Sequence, residues 1–188
     1  MATKKISARP FTFAGILVGA FVPVIFAIAA MQDGYWEFNV DTLSDLGISS
    51  DKLAANLFNY TCIVAGVLVA LFGIGKAYLK AGADCASGVM LMLAGILLAF
   101  IGICTKDYAA HIPIALTFFL FAGISVIISG ISDWRHGRTA TTAITIVTFT
   151  VIIASIPGFT IAGTEVISVV AICIWLLGQS ISLAFSKD

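Results

Sequence analysis

Histidine is nearly missing from this chain, two residues in 188, and the chemistries that need several imidazoles go with it. A catalytic zinc site takes about three protein ligands and leaves a fourth position open. His111 and His136 flank opposite ends of one apolar stretch, so they supply neither that set nor a bis-imidazole haem, and no metal or other cofactor is expected. Charge is as scarce. Asp, Glu, Lys and Arg make up 11% of the residues and sum to zero, against roughly 25% charged residues in a soluble domain. A basic face for nucleic acid is lacking, as are a phosphate loop and a dinucleotide fingerprint. The four cysteines default to small apolar residues, although Cys62 and Cys104 sit where adjacent antiparallel helices would let them pair.

What fills the chain instead is hydrocarbon. Sixty per cent of residues are hydrophobic and the mean hydropathy is +1.09; no water-soluble packing hides that much apolar surface in a chain of this length. A bilayer core of about 30 Å takes roughly 20 residues of helix. Uncharged stretches of that size run over 11–31, 54–75, 85–105, 112–132, 139–156 and 166–185. The expected fold is all-α: a single integral membrane domain over 1–188, a polytopic bundle of six transmembrane helices. Pro10 suits a first helical turn, Ser50 or Asp51 can cap the second span, and Pro157-Gly158 divides the last long stretch into two. A basic start followed by Ala27-Ile28-Ala29 also resembles a cleaved signal; the length of the stretch and Pro23 within it favour a membrane helix.

Orientation follows from Lys and Arg, which are retained on the cytoplasmic side. Lys4, Lys5, Arg9, Lys76, Lys80, Arg135, Arg138 and Lys187 fall on one face of the bundle, against Lys52 and Lys106 on the other. Both termini are therefore expected in the cytoplasm, with the protein in the cell membrane. Asp33, Glu37, Asp41, Asp45, Asp51, Asp107 and Glu165 collect on the outer face and make it electronegative. The spans themselves read as free of ionisable side chains, which disfavours ion-coupled transport.

Small residues mark helix contacts, because in lipid close backbone approach gains dispersion energy that leucine cannot. Gly15 and Gly19 form a G-x-x-x-G pair for packing within the chain, or for a protein subunit or second copy. Gly66, Gly73, Gly95, Gly102, Gly123 and Gly130 punctuate later spans. Phe13-Ala14-Gly15-Ile16 recurs as Phe121-Ala122-Gly123-Ile124 in a span of opposite direction, the arrangement an inverted repeat requires.

The outer connection from Asp33 to Lys52 holds more than a turn. Thr42-Leu43-Ser44-Asp45-Leu46-Gly47 has a capping residue, an acid three positions later and a glycine for a left-handed exit, which together predict one short helical turn. This segment, with Leu57-Phe58-Asn59 and Ala65-Gly66-Val67-Leu68 after it, resembles the domain-of-unknown-function family numbered 998, multi-pass membrane proteins common in archaea. The likeness is clearest from Pro23 to Gly75; later spans match in hydropathy and in His111. It implies a fold and little chemistry. A more distant likeness to Frag1-type lipid-remodelling proteins is carried by no motif.

Two functions fit these residues. The first is a non-catalytic membrane subunit that binds lipid or protein, with Asp45, Asn59, Asp107 and Glu165 as a polar cluster that braces the outer face or holds the ligand. The second is an outer-face lipid-modifying enzyme using Ser44, Asp45, Asn59 and His111, where a hydroxyl needs an adjacent base and an orienting group. Membrane lipids are the expected partners in both, and nucleic acid in neither.

Overall fold

The computed structural model describes residues 8–185; the basic Lys4, Lys5 and Lys187 lie outside them. Seven helices are formed among the described residues: α1 (Arg9–Asp33), α2 (Leu43–Leu46), α3 (Lys52–Leu79), α4 (Gly82–Ile103), α5 (His111–Arg135), α6 (Thr139–Gly158) and α7 (Ile161–Phe185). All but α2 are long and apolar enough to cross a membrane. A helix of 25 residues such as α1 is about 37 Å long at 1.5 Å per residue, enough for the hydrocarbon core with some tilt.

The long helices form a closed circuit: α1 packs on α3, α3 on α4, α4 on α5, α5 on α6, α6 on α7, and α7 returns to α1, with α5–α6 the thinnest seam. With six crossings the first and last helices share one end of the bundle, here named the terminal end. The opposite end carries the α1–α3 connection and α2. Large side chains such as Met31, Ile112, Leu116 and Ile161 are exposed around the circumference, the pattern of a bundle whose solvent is lipid rather than water.

Glycine decides how closely α3 and α4 approach. Cβ atoms at Gly66 and Gly73 would stand 2.4 Å from the Ala99 amide and 2.5 Å from the Met92 amide; Gly88 and Gly95 would meet Ala77 and Ala70 in the same way. Gly66 therefore faces Gly95 and Gly73 faces Gly88, in pairs two helical turns apart along each helix. Gly15 and Gly19 serve the same purpose against α7 of the same chain, where added Cβ atoms would run into the Ser180 hydroxyl and the Cys173 carbonyl. That face is occupied within one molecule. Gly123, the counterpart of Gly15 in the short sequence repeat, has nothing within 4 Å of its added Cβ, so the two copies do not pack alike.

Helix ends depart from the expected spans where charged side chains were taken as boundaries. Helix α3 continues through Lys76 to Leu79, and α7 begins at Ile161, placing Glu165 in its second turn rather than before it. Pro157 lies within the last turn of α6, where a missing N–H removes a single backbone bond. Asp84 and Asp133 also lie within helices. The spans are thus not free of ionisable groups. Gly66→Ala forces a methyl into the backbone of α4, and overpacking of this kind costs about 1–3 kcal/mol. Thermal unfolding of the purified protein is expected to fall clearly for Gly66→Ala and to stay level for Gly123→Ala; equal midpoints would disprove the close-packed α3–α4 contact.

Candidate functional site

Two polar assemblies close the two ends of the bundle, and they are built differently. At the terminal end, Lys76 is 4% exposed. Its ammonium donates to Ser87 Oγ at 3.3 Å, Ser129 Oγ at 2.5 Å and Gln179 Oε1 at 3.0 Å, and lies 5.8 Å from the Trp175 ring centre. Gln179 Nε2 donates to Asp133 Oδ2 at 2.7 Å. Arg138 Nε donates to Asp133 Oδ1 at 2.6 Å, and Arg138 Nη2 reaches Asp84 Oδ2 at 2.8 Å. Two cations and two anions from α3, α4, α5, the start of α6 and α7 are linked into one neutral chain. All three ammonium protons of Lys76 have acceptors. Removing one partner from such a buried set leaves an uncompensated charge, a loss of about 3–5 kcal/mol. Sequence reading missed this assembly because its members sit beside turns and look like boundary residues; the serines one turn apart in α5 were the available signal.

At the other end the α1–α3 connection is drawn across the bundle as a lid. Ser49 donates to Asp33 at the end of α1, and Trp36 Nε1 donates to the Thr42 carbonyl at 2.9 Å. Asn39, in the left-handed region at φ 67°, accepts from the Thr160 amide at 2.8 Å just before α7. The Asp51 side chain caps α3 through the Leu53 and Ala54 amides. Asn59 Nδ2 donates to the Gly47 carbonyl at 2.9 Å. Gly47 is needed for this approach and not for the expected left-handed exit: its φ is −66°, and an added Cβ would sit 2.7 Å from Asn59 Oδ1.

Within the lid, α2 is held by Asp45. Its carboxylate accepts from the Thr42 amide at 2.9 Å and the Thr42 hydroxyl at 2.7 Å, the acidic half of a capping box. The other oxygen accepts from Lys106 Nζ at 2.5 Å, pinning α2 to the α4–α5 connection. Partial burial opposes the charge of Asp45, but hydrogen bonds from Lys106 and Thr42 outweigh it and hold the carboxyl below the usual aspartate range.

The residues proposed for nucleophilic chemistry are not brought together. Ser44 Oγ points to Glu165 Oε1 at 3.4 Å. Asp45 serves the cap and Lys106. His111 Nδ1 is engaged with the Cys104 carbonyl at 2.7 Å, while its Nε2 and Asn59 Oδ1 are buried without a hydrogen-bond partner. Asp107 is exposed on the α4–α5 connection. His136 caps the far end of α5, a helix length from His111. All four cysteines are free. Among the described residues no group of three or more His, Cys, Asp or Glu is arranged to hold a metal.

Beneath the lid lies an apolar cavity of about 60 Å³, lined by α1, α2, α3, α4, α5 and α7. Val22, Val69, Phe118 and Leu176 are typical of its wall. Ser44 and Glu165 are its hydroxyl and its carboxylate, and Cys62 and Cys173 its thiols. Glu165 also faces the Leu43 amide. It forms no ion pair with any described residue.

Because the folded-state value of Asp45 is depressed, its ionised form contributes stability above the unfolded value of about 3.9, and that contribution is lost as pH falls through the lower folded value. Proteolysis of the lid after acidification below about pH 4 is expected to rise in the native protein. Asp45→Asn should be cut faster at neutral pH, with little further change on acidification. An unchanged acid profile in the variant would refute the role given to Asp45.

No curated protein and no solved structure matches the chain. The family described as "Protein of unknown function (DUF998)" matches residues 14–181, from the first turns of α1 almost to the end of α7, and therefore takes in the lid, the cavity and the buried charge chain together. The chain belongs to the DUF998 family of multi-pass membrane proteins.

Proposed function

We propose that this protein is a non-catalytic binder of a membrane amphiphile, whose apolar portion occupies the cavity between the helices while its polar end meets Ser44 and Glu165 beneath the lid. The observation that carries this reading is the cavity itself: apolar walls from five long helices, with one hydroxyl and one carboxylate, both on its lid side. Ligand sites are concave, mostly apolar and furnished with a few placed polar groups. An empty apolar space costs stability through lost dispersion contacts, so an occupant from the surrounding lipid gains by filling it. Ser44 has no imidazole beside it, His111 being engaged with the Cys104 carbonyl, and its hydroxyl meets Glu165 only at 3.4 Å, a geometry that favours binding over acyl transfer.

Occupancy is read by native mass spectrometry and by alkylation of Cys62 and Cys173, which line the cavity. Protein purified from membranes in mild detergent is expected to carry a bound amphiphile that slows alkylation of both thiols. Ala122→Val, which adds bulk to the wall from α5, should release it without lowering thermal stability. Loss of no ligand on filling the cavity would count against the reading.

The cell membrane is the proposed location, with the lid end outside, since Lys76, Lys80, Arg135 and Arg138 cluster at the terminal end and Lys52 and Lys106 at the other. In intact cells an impermeant maleimide should label Tyr35→Cys directly and Arg135→Cys after permeabilisation alone. The reverse pattern inverts the orientation.

A further inference from the structure

Glu165 is a carboxylate without a counter-ion. The groups that face it, the Ser44 hydroxyl and the Leu43 amide, are neutral donors. The nearby cation, Lys106, is already held by Asp45 and Thr42. At the terminal end every buried carboxylate has a cation, so the bare carboxylate at the lid is a departure from how this protein treats charge elsewhere. A charge moved toward an apolar interior is costly unless it is paired, and the space beside Glu165 is the cavity rather than another side chain.

Resting on the amphiphile reading, we propose that the occupant carries a primary ammonium head, which pairs with Glu165 and donates to the Ser44 oxygen, above an alkyl tail. Charge complementarity selects the head. Asp33, Glu37, Asp41, Asp45, Asp51, Asp107 and Glu165 all belong to the lid end, against Lys52 and Lys106, so a phosphate or carboxylate head meets like charge whereas an ammonium is attracted. The lining selects the tail: apart from Ser44, Glu165, Cys62 and Cys173 the cavity is walled by apolar side chains. Its wall runs from Glu165 to Leu176 on α7, about 16 Å at the helical rise, so the tail lies along the bundle axis.

The full chain in nanodiscs of neutral lipid is titrated with hexadecylamine, hexadecanol and hexadecyl phosphate, with binding read by native mass spectrometry and by protection of Cys62 and Cys173 from alkylation. Hexadecylamine is expected to bind at least about tenfold more tightly than hexadecanol, a difference of about 1.4 kcal/mol, with the phosphate weakest. Glu165→Gln should erase the preference for the amine while retaining the alcohol and a wild-type melting temperature. Asp41→Asn, which removes an acid of the lid that does not line the cavity, should keep the preference, separating the site from a general attraction to an acidic face. Equal binding of amine and alcohol, or a preference that survives in Glu165→Gln or disappears in Asp41→Asn, overturns the head assignment and leaves the cavity reading standing. If Glu165→Gln melts early, Ser44→Ala supplies the second reading, a partial loss of amine preference being expected and no loss counting against the proposal. Failure of all three probes to bind or protect either thiol overturns the cavity reading as well.

Discussion

A charge in hydrocarbon has to bring its own solvent, and the chain Lys76–Gln179–Asp133–Arg138–Asp84 does so for the terminal end of the bundle. Hydrogen bonds and ion pairs have direction and apolar contacts do not. Sliding any of the five helices connected here breaks a buried polar contact. The network therefore sets axial register, and the glycine faces set distance: Gly66 and Gly73 bring α3 against α4 close enough for Lys76 and Ser87 to share a bond.

The lid end is assembled on different terms. Its connections are mostly hydrogen bonds between side chains and backbone, made at the boundary where water remains within reach, and they reach α1, α3, the α4–α5 connection and α7 in turn. A single ion pair, Lys106–Asp45, contributes there, and at 36% and 31% side-chain exposure it is worth little as a surface pair. What it does is aim α2. With α2 aimed, Ser44 turns inward over the cavity toward Glu165. At the terminal end the buried carboxylates Asp84 and Asp133 share a cation, whereas at the lid end Glu165 meets neutral donors.

Much of the architecture was legible. Six apolar stretches, the break at Pro157-Gly158, the capping turn around Asp45 and the division of Lys and Arg between the two faces all follow from local composition. The site was legible in part. Ser44, Asp45, Asn59 and Glu165 were named as residues of one face, but their contacts were not legible: the alternative enzyme reading grouped Ser44 with His111, whereas Ser44 meets Glu165, a residue 121 positions away in sequence. Lys76, Asp84 and Asp133 were read as markers of helix ends, since charge in a hydropathy profile looks the same whether a side chain lies in water or is neutralised by its neighbours.

The sequence by itself determined that this chain forms apolar helices of bilayer length and where its excess of positive charge falls, because transfer of residues from water to hydrocarbon is nearly a sum over local composition. Which glycine faces which, which acid receives a cation and which is left bare, and whether the centre of the circuit is filled or hollow were decided by tertiary structure alone. Those outcomes depend on distances between residues far apart in the chain, and no local sum contains them.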